Sequence, residues 1–264
     1  SDYTISEELI KPCGKIGSMN KISQLTQQEF SRQRDTLNLI ASENYPSPKV
    51  LELLGSVWQN RYAEGSPGKR YYAGQVYVDQ LETYVQELAL RAFDSTGEYG
   101  VNVQLLSGSP ANSMVYMAML QPGDTILSLK LANGGHLSHL HETSAFNKFF
   151  KHVTYDVAET SPDSFEIDQA DFAAQLKQHK PKLTIIGFSA YPRAYEFAKL
   201  CRLAHESGSL VLADIAHING LVAAELHDSP FKSDGDGADF VSMTTHKTMR
   251  GPRGAMLFAK QEYM

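Results

Sequence analysis

The sequence predicts an α/β fold, a largely parallel sheet with helices on both faces, and three observations lead there. From Val101 onward, short apolar runs alternate with stretches of helical periodicity. An apolar run, Val211-Leu212-Ala213, delivers a carboxylate, Asp214, where a strand would end. Another run turns at Ser107-Gly108-Ser109 into a helical pattern. A chain of 264 residues, 42% apolar and 20% charged, has enough material for a full core.

Taken in order, residues 23–34 are polar with sparse apolar positions and predict a surface helix, and a second helix is expected over 48–59. Residues 1–60 thus read as an N-terminal helical arm. Gly65, Pro67, Gly68 and Gly74 punctuate a run dense in Tyr and Arg, which suits loops held against another surface. Helical periodicity resumes over 78–93. Strands are expected over 101–106, 125–129, 153–157, 183–188, 210–213, 240–243 and 255–259. Helices are expected over 109–120, 168–177 and 194–206. For the first of these, Ser109 is the expected N-cap, with Pro110 at the first helical position. The chain is expected to stop inside an element, because 260–263 start a helical pattern with no Gly or Pro after it. A fragment is therefore expected.

Composition narrows the function. The net charge of -6 argues against a general nucleic-acid footprint, which needs a surplus of Lys and Arg. No apolar stretch is long enough to span a bilayer, and the acidic N-terminus lacks the order of a secretory signal. Two cysteines, Cys13 and Cys201, lie far apart and outside metal-ligand spacing, which fits a reducing, cytoplasmic setting.

Three local patterns carry chemistry. In Ser242-Met243-Thr244-Thr245-His246-Lys247-Thr248 one lysine follows a strand end among hydroxyls and a histidine, an environment in which an amine can condense with an aldehyde. Lys247 is the Schiff-base candidate, although a lysine after a strand is by itself usually a surface residue. Asp214 can keep a pyridine nitrogen protonated so that the ring accepts electrons, or can simply cap a turn. Ser107-Gly108-Ser109 offers backbone donors to an anion at a helix N-terminus, or is a plain helix start. A fourth pattern, His136-Leu137-Ser138-His139-Leu140-His141-Glu142, offers three imidazoles and a carboxylate to a metal, but at no standard ligand spacing, so no metal site is expected.

The order phosphate loop, aspartate, lysine is that of the aspartate-aminotransferase-like class of pyridoxal-phosphate enzymes. Longer runs narrow it further. Leu39-Ile40-Ala41-Ser42-Glu43-Asn44, the run from Arg61-Tyr62-Ala63-Glu64-Gly65 to Arg70-Tyr71-Tyr72, Gly134-Gly135-His136-Leu137, and Thr244-Thr245-His246-Lys247 through Arg253-Gly254 resemble the signature stretches of serine hydroxymethyltransferases. The resemblance runs from about Gln24 to the end.

It implies a mostly parallel seven-stranded sheet in a cofactor-binding large domain over 61–264, stopping short at its C-terminal end, with the family's small domain absent. It implies pyridoxal 5'-phosphate held on Lys247, with Asp214 at the ring nitrogen and His136 stacked on the ring. Ser107, Gly108, Ser109 and His246 would surround the phosphate. Ser189 and Thr244 would lie near the phenolic oxygen, and His217 would touch ring and amino acid.

Glu64 matches the family's acid-base glutamate, whose pKa the surrounding aromatics would raise. With Tyr62 and Tyr72 it would reach the active site of a neighbouring subunit, in a homodimer or a tetramer. Ser42 and Tyr72 match positions near the substrate carboxylate, and Tyr71, Leu131 and Leu137 match the folate site. The implied substrates are serine, glycine and tetrahydrofolate. Ser66, Ala73, Asn133, Glu225, Ala255 and a longer segment over 232–237 depart from the usual pattern. The alternatives are a folate-independent aldolase of the threonine-aldolase kind and a catalytically silent dimerising homologue.

Overall fold

A computed structural model describes residues 17–233 and 235–264. Cys13 and Asp234 lie outside the described residues.

The N-terminal part comprises helix α1 (Gly17–Asp35) and the short α2 (Pro48–Leu54). The helix expected over 48–59 breaks at Gly55, where the Gly55 and Ser56 amides bond back to the Glu52 and Leu53 carbonyls, and it resumes only as a 3-10 turn, Val57–Asn60. The Tyr- and Arg-rich run is not plain loop, because it forms a small antiparallel hairpin of β1 (Gly65–Ser66) and β2 (Lys69–Arg70). Helix α3 (Val76–Phe93) follows and lies against β3 (Tyr99–Leu105).

Next come α4 (Gly108–Met119), β4 (Thr125–Leu129), β5 (Lys151–Tyr155) and a hairpin, β6 (Val157–Ser161) with β7 (Ser164–Ile167), that periodicity did not reveal. Helix α5 (Gln169–His179) is capped by the Asp168 carboxylate, which accepts from Ala170 and Asp171 amides. After it run β8 (Leu183–Ile186), α6 (Phe197–Glu206), β9 (Leu210–Asp214), α7 (Asn219–Ala223), β10 (Phe240–Thr244) and β11 (Ala255–Lys260). The expected 194–206 helix starts late, and residues 261–263 make a single 3-10 turn.

The main sheet has seven strands in the order β3-β11-β10-β9-β8-β4-β5. All its pairings are parallel except the two made by β11, with β10 and with β3. Side chains alternate between two cores, as strand geometry requires. Ile186, Val211, Ala213, Val241 and Met243 face one side with Phe172, Phe197, Phe231 and Phe258. Ile185, Leu212 and Phe240 face the other with Val115, Tyr116, Leu140 and Phe150. Each such large side chain removed from water contributes about 1.5–3 kcal/mol. Helix α6 shows the cause at sequence level: its buried residues, Phe197, Leu200, Cys201 and Ala204, recur at three- and four-residue steps.

Candidate active site

The parallel strands all point their C-terminal ends to one edge, and a cavity opens there. It is lined by Ser107, Gly108, Ser109, His136, His139, Phe188, Ser189, Asp214, Ala216, His217, Thr244, His246 and Lys247. Ten residues singled out in the sequence for the cofactor therefore meet in one place, although they come from five segments of chain. Asp214 closes β9 and Thr244 closes β10, while Ser107 and Ser189 stand just past the ends of β3 and β8.

Asp214 is buried and heavily bonded. Its Oδ2 accepts from Asn112 Nδ2 at 2.8 Å and meets His139 Nε2 at 3.0 Å, and its Oδ1 accepts from the Ala216 amide at 3.1 Å. Burial alone would raise its pKa, but His139, Asn112 and the Ala216 amide together hold the carboxyl well below the usual range. The Lys247 ammonium is pushed down by burial, an effect that the Asp214 charge opposes. Burial and then the neighbouring His139 lower His136 to about 4, so its ring is neutral. Burial, then Lys247, lowers His217; burial, then Arg253, lowers His246.

The lysine segment is pinned from two sides. Asn219, fully buried, donates to Thr244 O at 2.7 Å and accepts from Thr248 Oγ1, which also takes the Gly220 amide at 3.1 Å. On the other side Asn44 Nδ2 donates to Lys247 O at 3.1 Å, and Arg250 Nε donates to Tyr45 O. A second cavity is lined by Ser42, Glu43, Asn44 and Tyr45 together with His246 and Lys247.

Two features fit an anionic, aldehyde-bearing ring. The N-terminus of α4 begins at Ser107, whose side chain makes no capping bond, so the helix end faces the cavity without an internal anion substitute. The expectation that Ser109 is the cap is therefore corrected by two residues: Ser107 is the cap position, Gly108 the first helical residue, and Pro110 lies inside the first turn. Ser189 Oγ is buried without a partner among the described residues, and such a group calls for one.

The other sequence candidates are not brought together with Lys247 in one chain. Tyr62, Tyr71 and Tyr72 are largely exposed, Tyr62 and Tyr72 stack at 6.1 Å, and Glu64 is exposed on the hairpin. The aromatic run therefore does not enclose Glu64 as expected. What holds this hairpin is Arg70, whose guanidinium reaches Asp79, Glu82 and the carbonyls of Ala63 and Gly65. Leu131 borders a separate cavity shared with His136, and Leu137 is half exposed.

The histidine run is dispersed. His136 Nδ1 meets Ser138 Oγ, His139 turns to Asp214, and His141 Nδ1 meets Thr143. Among the described residues no three such side chains are placed to hold a metal. His139 and Asn112 were missed as site residues in the sequence. Their partner lies 75 and 102 residues away, and no local spacing encodes it.

A mostly parallel sheet with one antiparallel strand, a buried aspartate and a half-buried lysine at its C-terminal edge, and an uncapped helix end beside them are the arrangement of an aspartate-aminotransferase-like large domain. Residues 17–263 match the family described as "Serine hydroxymethyltransferase", and the chain belongs to that family. A serine hydroxymethyltransferase of Desulfotalea psychrophila is 48% identical over 243 residues, covering 92% of this chain and 55% of the relative. Those of Alkalilimnicola ehrlichii and Myxococcus xanthus are 46% and 47% identical, covering 91% and 92% of this chain and 55% and 56% of theirs. The chain thus spans about half the length of the curated relatives it matches. Among the described residues no helix is long and apolar enough to cross a membrane.

Proposed function

We propose that this chain is the cofactor-binding part of a serine hydroxymethyltransferase, which moves the side-chain carbon of serine to tetrahydrofolate and leaves glycine and methylenetetrahydrofolate. The observation that carries the reading is the convergence of Lys247, Asp214 and the uncapped start of α4 on one cavity.

Pyridoxal phosphate bound there would supply an electron sink for a substrate carbanion. The residues divide the remaining work. Lys247 is the amine that takes the aldehyde, and its burial keeps a larger share of it unprotonated and nucleophilic. Asp214, ionised, would accept a hydrogen bond from the ring nitrogen and so keep it protonated. His136 presents a neutral ring face. Ser107, Gly108, Ser109 and His246 would hold the phosphate, while Ser189 and Thr244 would attend the phenolic oxygen. His217 stands between ring and amino acid, and Ser42 takes part of the substrate carboxylate.

Glu64, Tyr62 and Tyr72 are assigned to the site of a second copy, with Glu64 handling protons at the serine hydroxyl and the folate. The homodimer is supported by a stripe on α3: Tyr77, Leu81, Tyr84, Val85 and Leu88 recur at helical steps and are exposed. Tyr71, Leu131 and Leu137 are assigned to the folate, and a cytoplasmic setting suits the free, buried thiol of Cys201.

Borohydride reduction of the chain incubated with pyridoxal phosphate, followed by peptide mapping, tests the core of the reading. A single mark on Lys247 is expected. Modification at a different lysine would overturn it.

A further inference from the structure

Asp214 is held by a buried side-chain relay between α4 and the paired strands β9 and β10. Asn112 lies in α4 and Ser242 in the middle of β10, and both are essentially inaccessible to water. Ser242 Oγ donates to Asn112 Oδ1 at 2.6 Å. The Asp214 carboxylate, which only accepts, sets which way the amide faces, and the Ser242 hydroxyl holds it there by donating to the oxygen that is left on the other side. Its Nδ2 then reaches Asp214 Oδ2 at 2.8 Å and Ser138 Oγ at 3.0 Å. An amide turned half a revolution would set its oxygen against the carboxylate, acceptor against acceptor.

The consequence is an asymmetric carboxylate. An ionised carboxylate offers about two acceptor sites on each oxygen. Oδ2 fills both, with Asn112 and His139, whereas Oδ1 fills one, with the Ala216 amide. The remaining acceptor capacity is on Oδ1, on a side chain that lines the cavity with Lys247.

We propose that Ser242 and Asn112 are positioning residues that orient Asp214 so that Oδ1 is the acceptor for the protonated ring nitrogen of the cofactor. The proposal rests on the reading that this cavity takes pyridoxal phosphate. It adds what sets the strength of the ring-nitrogen contact, a property distinct from holding phosphate or forming the lysine adduct.

The test compares equilibrium binding of pyridoxal phosphate with that of its carba analogue, in which C–H replaces the ring nitrogen, using the whole chain and absorbance titration. The unsubstituted chain is expected to prefer pyridoxal phosphate. Ser242→Ala is expected to reduce that preference about tenfold, and Ser242→Thr, which keeps the hydroxyl, to restore it to within about threefold. Should Ser242→Ala not fold, Ser242→Cys, close to serine in volume and a weaker donor, is expected to reduce the preference in the same direction.

A loss of affinity for both molecules in equal proportion would make the pair mere packing and overturn the proposal. Equal binding of both by the unsubstituted chain would also overturn it while leaving the phosphate and lysine assignments intact. Failure to bind either would remove the cofactor reading itself, and this proposal with it.

Discussion

Substituting Gly187 by alanine is expected to damage stability and cofactor binding together. Gly187 follows β8 and lies beside the end of β9. A Cβ there would stand 2.1 Å from Asp214 O, 2.7 Å from its carbonyl carbon and 2.8 Å from its nitrogen. Ordinary contact begins at 3.4 Å, so the two strand ends must separate by more than an ångström. Both sides of the clash are backbone, and no rotamer relieves it. Overpacking of this kind costs about 1–3 kcal/mol, and the upper figure applies to a rigid sheet. At about 2–4 °C per kcal/mol, the melting temperature should fall by about 6–12 °C.

The same displacement would stretch the 2.8 and 3.0 Å bonds that Asp214 makes with Asn112 and His139 beyond hydrogen-bonding range, so affinity for pyridoxal phosphate should drop as well. Thermal melts followed by circular dichroism and cofactor titration measure the two effects. Gly55→Ala is the control, because its nearest neighbour would be 3.9 Å away. A Gly187→Ala protein that melts within about 2 °C of the unsubstituted one would refute the reasoning about this close approach.

Arg70→Met should release the hairpin that carries Glu64, speeding hydrogen exchange at the Tyr71 amide, which bonds Glu64 O at 3.2 Å. Arg70→Lys should do nearly as much, because an ammonium cannot reproduce the fork; unaltered exchange in both variants would show that the guanidinium does not hold this segment. Glu64→Gln, in the assembled enzyme, should impair folate-dependent serine cleavage more than cofactor binding, and equal losses would remove its proton role. His205 meets Asp239 Oδ2 through Nε2 and Gly235 O through Nδ1, contacts that favour the imidazolium. The Asp239 hydrogen bond chiefly raises its pKa, against burial, so its contribution to stability is complete below the ordinary 6.5 and fades as pH rises through the higher folded value. His205→Gln should flatten that decline in melts run from mildly acid to alkaline pH, and identical slopes would count against it.

Much of the site was legible in the sequence for a physical reason. Asp214 and Lys247 follow apolar strands, and in a parallel sheet every strand C-terminus faces the same edge, so residues far apart in sequence must meet there. What stayed hidden depends on tertiary partners. His139 looks like one member of a histidine run until β9 brings Asp214 beneath it. Arg70 looks like one more cation in a loop until α3 supplies Asp79 and Glu82. The helix over 48–59 breaks at Gly55, where a local signal was present and the periodicity on either side outweighed it. The start of α4 shifted from Ser109 to Ser107 because in this site the cap position is left open.

The place of β11 has a consequence for how the chain matures on the ribosome. β3 joins the sheet only through β11, with Leu105 opposite Ala255. The five strands from β10 to β5 can pair as they emerge, but β3 has no strand partner until about 150 further residues have been made. At about 5–20 residues per second that delay is on the order of ten seconds. Throughout it Tyr99 and Val101, buried in the finished fold, stay uncovered by the strand that completes their surroundings. This nascent segment is where a chaperone would find its apolar target.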